Sequence, residues 1–122
     1  MKSFIITLII FSALLGIIAT NFFYINKVGD ELKEKAETLN ISNIEECKTK
    51  LDELYLYWKD NETMISFSVS YTELNCVDDN ITKMMTYLEH NDIVNFECYR
   101  ASLLNAIEEM RRLEKLLLKN IF

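Results

Sequence analysis

Residues 3–26 read SFIITLIIFSALLGIIATNFFYIN, without one charged side chain. As a helix rising about 1.5 Å per residue, this run can cross a bilayer core of roughly 30 Å. From Lys27 onward the chain is different: charged, helical in pattern and mainly acidic. The run therefore divides the chain into a transmembrane signal anchor over 3–26 and a helical extracytoplasmic domain over 27–122.

Two other readings of the run fit less well. A cleaved signal peptide would use Lys2 as its basic region and a cut near Ala19, but Ile17 then stands where a small residue is needed. The apolar run also continues past that cut, through Phe22, Phe23, Tyr24 and Ile25. A buried core helix would not need 24 uncharged residues in a row. An uncleaved single-pass helix puts Phe22, Phe23 and Tyr24 near the outer interface, where amphipathic rings are favoured. Orientation has opposing signals. Lys27, Lys33 and Lys35 would hold the C-terminal side in the cytoplasm by the positive-inside count. An anchor starting at residue 3 commonly exports the domain on its C-terminal side, and the expectation is an exported domain in the cell membrane.

Lys2 is the only charged side chain before Lys27, so the rest of the chain carries 12 basic and 19 acidic residues, a balance of −7. That balance argues against nucleic acid, which needs a basic face, and against docking on an anionic lipid surface. There is no proline, and Gly16 and Gly29 are the only glycines, which favours long helices. Cys47, Cys76 and Cys98 match no zinc spacing. Small buried apolar residues are the plainer reading of the three; one disulfide would need an oxidising compartment.

Taken in order, Val28-Gly29-Asp30 is the first punctuation, with Asp30 as cap for a helix from 31 to about 39, unless the membrane helix simply continues. Ser42-Asn43-Ile44-Glu45 fits a capping box. Ile44, Cys47, Leu51, Leu54, Tyr55 and Trp58 then recur at helical spacing, and this second helix is expected to reach about residue 71. The stretch ISFSVSY over 65–71 alternates like a strand, but a lone strand could not satisfy its backbone. A break at Asn75-Cys76-Val77-Asp78 precedes a third helix, capped by Asp78 or Asp79 and ending near Glu89. Asn91 caps a fourth helix over 92–119, with Phe96, Leu103, Leu104, Ile107, Met110, Leu113, Leu116 and Leu117 on its apolar side. Arg111, Arg112, Lys115 and Lys119 complement the dipole at its end.

A shift of 49 residues lays Leu32 on Ile81, Ala36 on Met85, Leu39 on Leu88 and Ser42 on Asn91, then Ile44, Cys47, Leu54, Tyr55 and Trp58 on Ile93, Phe96, Leu103, Leu104 and Ile107. The expected fold is all-α: an N-terminal transmembrane helix followed by two antiparallel helical hairpins, a four-helix arrangement like that of tetratricopeptide repeats.

Trp58, the run Tyr71-Thr72-Glu73-Leu74-Asn75-Cys76-Val77 and the terminal Asn120-Ile121-Phe122 resemble a bacterial family of small proteins, domain-of-unknown-function family 4363. The resemblance covers nearly the whole chain. It implies one N-terminal membrane helix, an extracytoplasmic helical domain, no known activity, and a role as accessory to other membrane proteins. The chain departs at Tyr71, where the family would carry histidine, so chemistry resting on that histidine cannot operate here.

Little else in the chain carries chemistry. His90 is the only histidine and sits in a turn, with only carboxylates such as Glu89 and Asp92 beside it. The acidic pairs Glu45-Glu46, Asp52-Glu53, Asp78-Asp79 and Glu108-Glu109 diverge by about 100° on a helix and do not converge on one site. No catalytic residue, metal site or cofactor is expected, and no enzymatic activity. Tyr57, Trp58, Phe67, Tyr71 and Tyr99 form the candidate interaction surface, with core placement the competing reading for Trp58. The expected function is a membrane-anchored interaction module, an accessory that binds a membrane protein or its own copy. The alternative is an envelope ligand-binding or sensing module with a groove between the hairpins.

Overall fold

The structure, a computed structural model, describes residues 1–121, apart from the side chains at 117, 118 and 121. The side chains of Leu117 in the apolar stripe and of Ile121 in the terminal motif, and the whole of Phe122, therefore lie outside the described residues. Four helices make up the fold: α1 (Lys2–Glu37), α2 (Ile44–Ile65), α3 (Tyr71–Glu89) and α4 (Ile93–Ile121). Among the described residues there is no strand. Each helix packs on its two neighbours in the order α1, α2, α3, α4, and α4 closes back on α1. That closure makes an up-down-up-down ring around one core. A tetratricopeptide arrangement stacks its hairpins in an open array, whereas here the first and last helices are partners.

The core is filled by Trp58, Phe96, Leu54, Leu103, Ile81 and Ile107, all fully buried. The 49-residue shift is visible in burial. Leu32 and Ile81, Leu39 and Leu88, Cys47 and Phe96, Leu54 and Leu103, and Trp58 and Ile107 are buried at both positions. It extends to Ile25 with Leu74 and Val28 with Val77. The two hairpins thus present matching stripes to one interior.

α1 does not break at Gly29. The helix runs through it, and the buried stripe begins with Ile25, Val28, Gly29, Leu32 and Ala36. The second helix stops six residues short of the expected end. After Ile65 the amides of Ser68 and Val69 both fold back onto the Ile65 carbonyl, at 3.1 and 3.0 Å. Ser70 then takes extended geometry and accepts the Glu73 amide at 3.4 Å, so α3 is capped by Ser70 and starts at Tyr71 rather than after a cap at Asp78 or Asp79. Serines at 66, 68 and 70 offer the backbone local partners and so favour a turn over continued helix. Ile65 and Val69 stay buried across it.

The other caps each move by one residue. Asn43, not Ser42, caps α2: its Oδ1 accepts the Glu46 amide at 3.2 Å and its Nδ2 donates to Glu46 Oε2 at 3.3 Å. Ser42 instead donates to Asn40 Oδ1. Asp92 caps α4 by accepting the Asn95 amide at 3.2 Å. Asn91 takes a left-handed φ of 57°, a conformation asparagine tolerates better than most residues.

Candidate functional site

The apolar run of α1 stands outside the bundle. No residue before Ile25 is buried, and Phe4, Ile9, Phe11 and Ile17 are all more than half exposed. This is the one segment among the described residues that is long and apolar enough to cross a membrane. The end of the bundle that meets this run is the candidate site.

Two arginines of α4 fix α1 against the bundle. At the far end, Arg100 donates to the carbonyls of Leu39 at 2.6 Å and Ala36 at 3.2 Å, satisfying the open end of α1. At the near end, Arg111 lies across Gly29. It pairs with Asp30 at 2.8 Å, and its Nε donates to Asn26 Oδ1 at 3.3 Å. A methyl group at Gly29 would fall 2.6 Å from Arg111 Cδ. The glycine is thus a place of close approach rather than a hinge. Neither arginine contact is signalled by sequence; an uninterrupted apolar stripe on both sides of Gly29 is the one available hint.

The α2–α3 turn comes down beside the apolar run. Met64, Phe67 and Ser68 line a groove of about 720 Å³ with Ala13, Gly16, Ile17, Ile18, Thr20, Asn21 and Tyr24 of α1. Tyr24 also donates to Asn61 Oδ1 on α2. On the other side of the turn, Ser68, Val69 and Glu73 meet Met110, Leu113 and Glu114 of α4. Glu114 is only 8 % exposed, and burial holds its carboxyl above the ordinary carboxylate range. α4 continues for ten residues beyond Arg111, carrying Arg112, Lys115 and Lys119.

The five candidate aromatics do not form one surface. Trp58 is fully buried and is a core residue, because it lies on the buried stripe of α2 with Cys47, Leu51 and Leu54. Its indole Nε1 has no hydrogen-bond partner. Tyr57 is half-buried with the Lys35 ammonium 5.4 Å from its ring centre, and burial, with the Glu31 charge adding to it, raises its hydroxyl pKa. Tyr99 stacks on Tyr87 with ring centres 5.4 Å apart, under Lys83. Only Phe67 and Tyr71, at 78 % and 77 % exposed, stand open together, and both belong to the end beside the apolar run.

The polar candidates stay apart. His90 is exposed at the end of α3 and its Nδ1 lies 2.9 Å from the Thr86 carbonyl. Asp78 pairs with Lys59 at 2.7 Å and raises that ammonium's pKa. Among the described residues no group of three His, Cys, Asp or Glu could hold a metal. All three cysteines are free; Cys47 is buried, whereas Cys76 and Cys98 are exposed, so the buried-residue reading holds for Cys47 alone.

A family model described as a domain of unknown function, DUF4363, matches residues 20–121. The chain belongs to that family. The DUF4363 match takes in the whole bundle and begins within the groove-lining part of α1. No curated protein and no solved structure matches the chain.

Proposed function

We propose that this DUF4363 protein is a single-pass membrane protein whose extracytoplasmic helical domain works by binding, without catalysis, as an accessory to another membrane protein or to its own copy. The observation that carries the reading is α1 itself. From residue 3 to residue 24 it is uncharged and no residue is buried, and it continues without a break into the bundle. Sharing a membrane raises the effective concentration of two anchored partners, so a small domain can act through weak contacts. A groove between the hairpins is less favoured, because Trp58, Phe96, Leu54 and Leu103 fill that space.

The test has two parts. Crosslinking in native membranes, followed by detergent extraction and purification, should recover a membrane partner or a self-crosslinked species. A clean monomer in both steps refutes the binding role. For the side of the membrane, an impermeant thiol reagent on intact cells should modify Cys76 and Cys98; modification only after lysis places the domain in the cytoplasm.

A further inference from the structure

The length of α1 that stands alone is short for a bilayer. Residues 3–20 rise about 27 Å, and a hydrocarbon core of roughly 30 Å takes about 20 residues of helix. Counted from Ser3, a span of that length ends near Phe22. The bundle already accompanies α1 at that level, because Met64 and Phe67 share a groove with α1 residues from Ala13 to Tyr24. Lipid around Ala13, Ile17 and Thr20 would therefore also reach Phe67.

The exposed apolar side chains of the bundle gather at this level. Beyond α1, the large exposed hydrophobics among the described residues are Leu56, Met64, Phe67, Tyr71, Val94, Leu113 and Leu116. Five of these seven lie at the end of α2, on the α2–α3 turn, at the start of α3 beside it, or in the last turns of α4. Arg111 pairs with Asp30, so the remainder of α4 runs antiparallel to α1 toward the apolar run. In that tail Arg111 pairs with Asp30 and Glu108 and Arg112 with Glu109, while Lys115 and Lys119 follow, and the tail's own single acid, Glu114, is buried. The acidic excess of the domain is thus not found in this tail. Apolar side chains bordered by cations suit the boundary between acyl chains and phosphate headgroups.

We propose that this end of the bundle is a membrane-docking surface, in which Met64, Phe67 and Tyr71, with Leu113 and Leu116, enter the lipid interface beside α1. The docking rests on the reading that α1 spans the membrane. It makes the domain a body partly set into the bilayer surface rather than one carried above it.

Nitroxide labels on the full chain test this. Cys76→Ser and Cys98→Ser remove the exposed thiols, and single cysteines are introduced at Phe67, at Tyr71, at Val94 on the far end of the bundle, and at Ile9 within the apolar run. Each variant is placed at one copy per nanodisc of mixed phosphatidylcholine and phosphatidylglycerol. Relative accessibility to oxygen and to a water-soluble nickel chelate is then read by power-saturation spectroscopy. The expected result is that labels at 67 and 71 resemble position 9, with nickel access several-fold below position 94. If position 9 is in lipid while 67 and 71 match 94, the docking is overturned and the span stands. If position 9 is itself open to nickel, the span fails and the docking with it. Shielding of 67 and 71 from both reagents would mean burial under protein, which also overturns the proposal.

Discussion

Replacing Gly29 with alanine puts a methyl group where the Arg111 side chain lies, 2.6 Å from Cδ, 3.1 Å from Cγ and 3.2 Å from Nε. The three nearest atoms all belong to that one flexible side chain, so the arginine must move. Two effects oppose each other. Alanine in a helix interior is favoured over glycine by about 1 kcal/mol. Displacing Arg111 endangers its hydrogen bond to Asn26, worth about 0.5–1.5 kcal/mol. It also endangers the ion pair with Asp30, worth about 0–1 kcal/mol because Asp30 is largely exposed. Gly29→Ala alone should therefore change stability by between roughly −1.5 and +0.5 kcal/mol, a loss being the more negative sign. In an Arg111→Ala background the obstacle is gone, and the same substitution should stabilise by about 1 kcal/mol. The interaction energy of the double-mutant cycle is then roughly 0.5–2.5 kcal/mol. Urea unfolding of the full chain in detergent micelles measures all four corners, followed by the fluorescence of Trp58, the only tryptophan and a fully buried one. If Gly29→Ala stabilises equally with and without Arg111, the close-approach account is wrong and the glycine serves some other purpose.

The same unfolding assay checks the remaining expectations. Asn43→Ala removes a side chain that caps α2 and should cost about 1 kcal/mol, whereas Ser42→Ala should stay within about 0.5 kcal/mol; the reverse order would restore Ser42 as the cap. Glu114 has its carboxyl raised by burial, so the folded state holds this proton to higher pH than the unfolded state does. Linkage gives the sign: this residue's contribution is fully present at low pH and is lost as pH rises through the window between the ordinary and the raised value. Glu114→Gln should gain stability relative to the parent chain as pH climbs through that window, and a difference that stays flat with pH would remove the burial argument.

Much of the architecture is legible in the residues because apolar spacing and burial are tied to one period. Leu54, Leu103 and Ile107 are readable as core from spacing alone, and the 49-residue match between hairpins reappears as matching burial at most of its positions. Helix ends are less legible, because several polar residues stand side by side and compete for the same amide. Ser42 and Asn43 differ by one position, and the geometry of Asn40 decides between them. The turn at 66–70 is hard to read because alternation of serine with Phe67 and Val69 belongs to neither helix nor turn signature, and it mimics a strand. Its real signal is Ser70-Tyr71-Thr72-Glu73, a capping-box pattern. The candidate site is the least legible part. Trp58 and Phe67 are both aromatic, and only the packing of four helices shows that one is interior and the other outside. Arg100 and Arg111 bind α1 across more than 60 residues of sequence, a distance over which no local pattern reports.

If α1 spans a membrane, as proposed, its continuity also determines how it can act as an anchor. A glycine hinge at 29 would have let the domain turn freely on its span. With Gly29 covered by Arg111, α1 is one helix of 36 residues, about 54 Å long. Rotation about its axis is then common to both parts. The stripe that faces the bundle, Ile25, Val28 and Leu32, continues at helical spacing through Asn21 and Ile17, which line the groove beneath the α2–α3 turn. The face of the span that lies under the bundle is thus set by the packing of the bundle itself. On the proposed reading that α1 spans a membrane, a partner that tilted or turned the span would carry the domain with it, and a partner that held the domain would fix the span. Loosening Arg111 is the substitution that should separate the two motions, since Arg111 spans Asn26, Gly29 and Asp30 at the boundary between them.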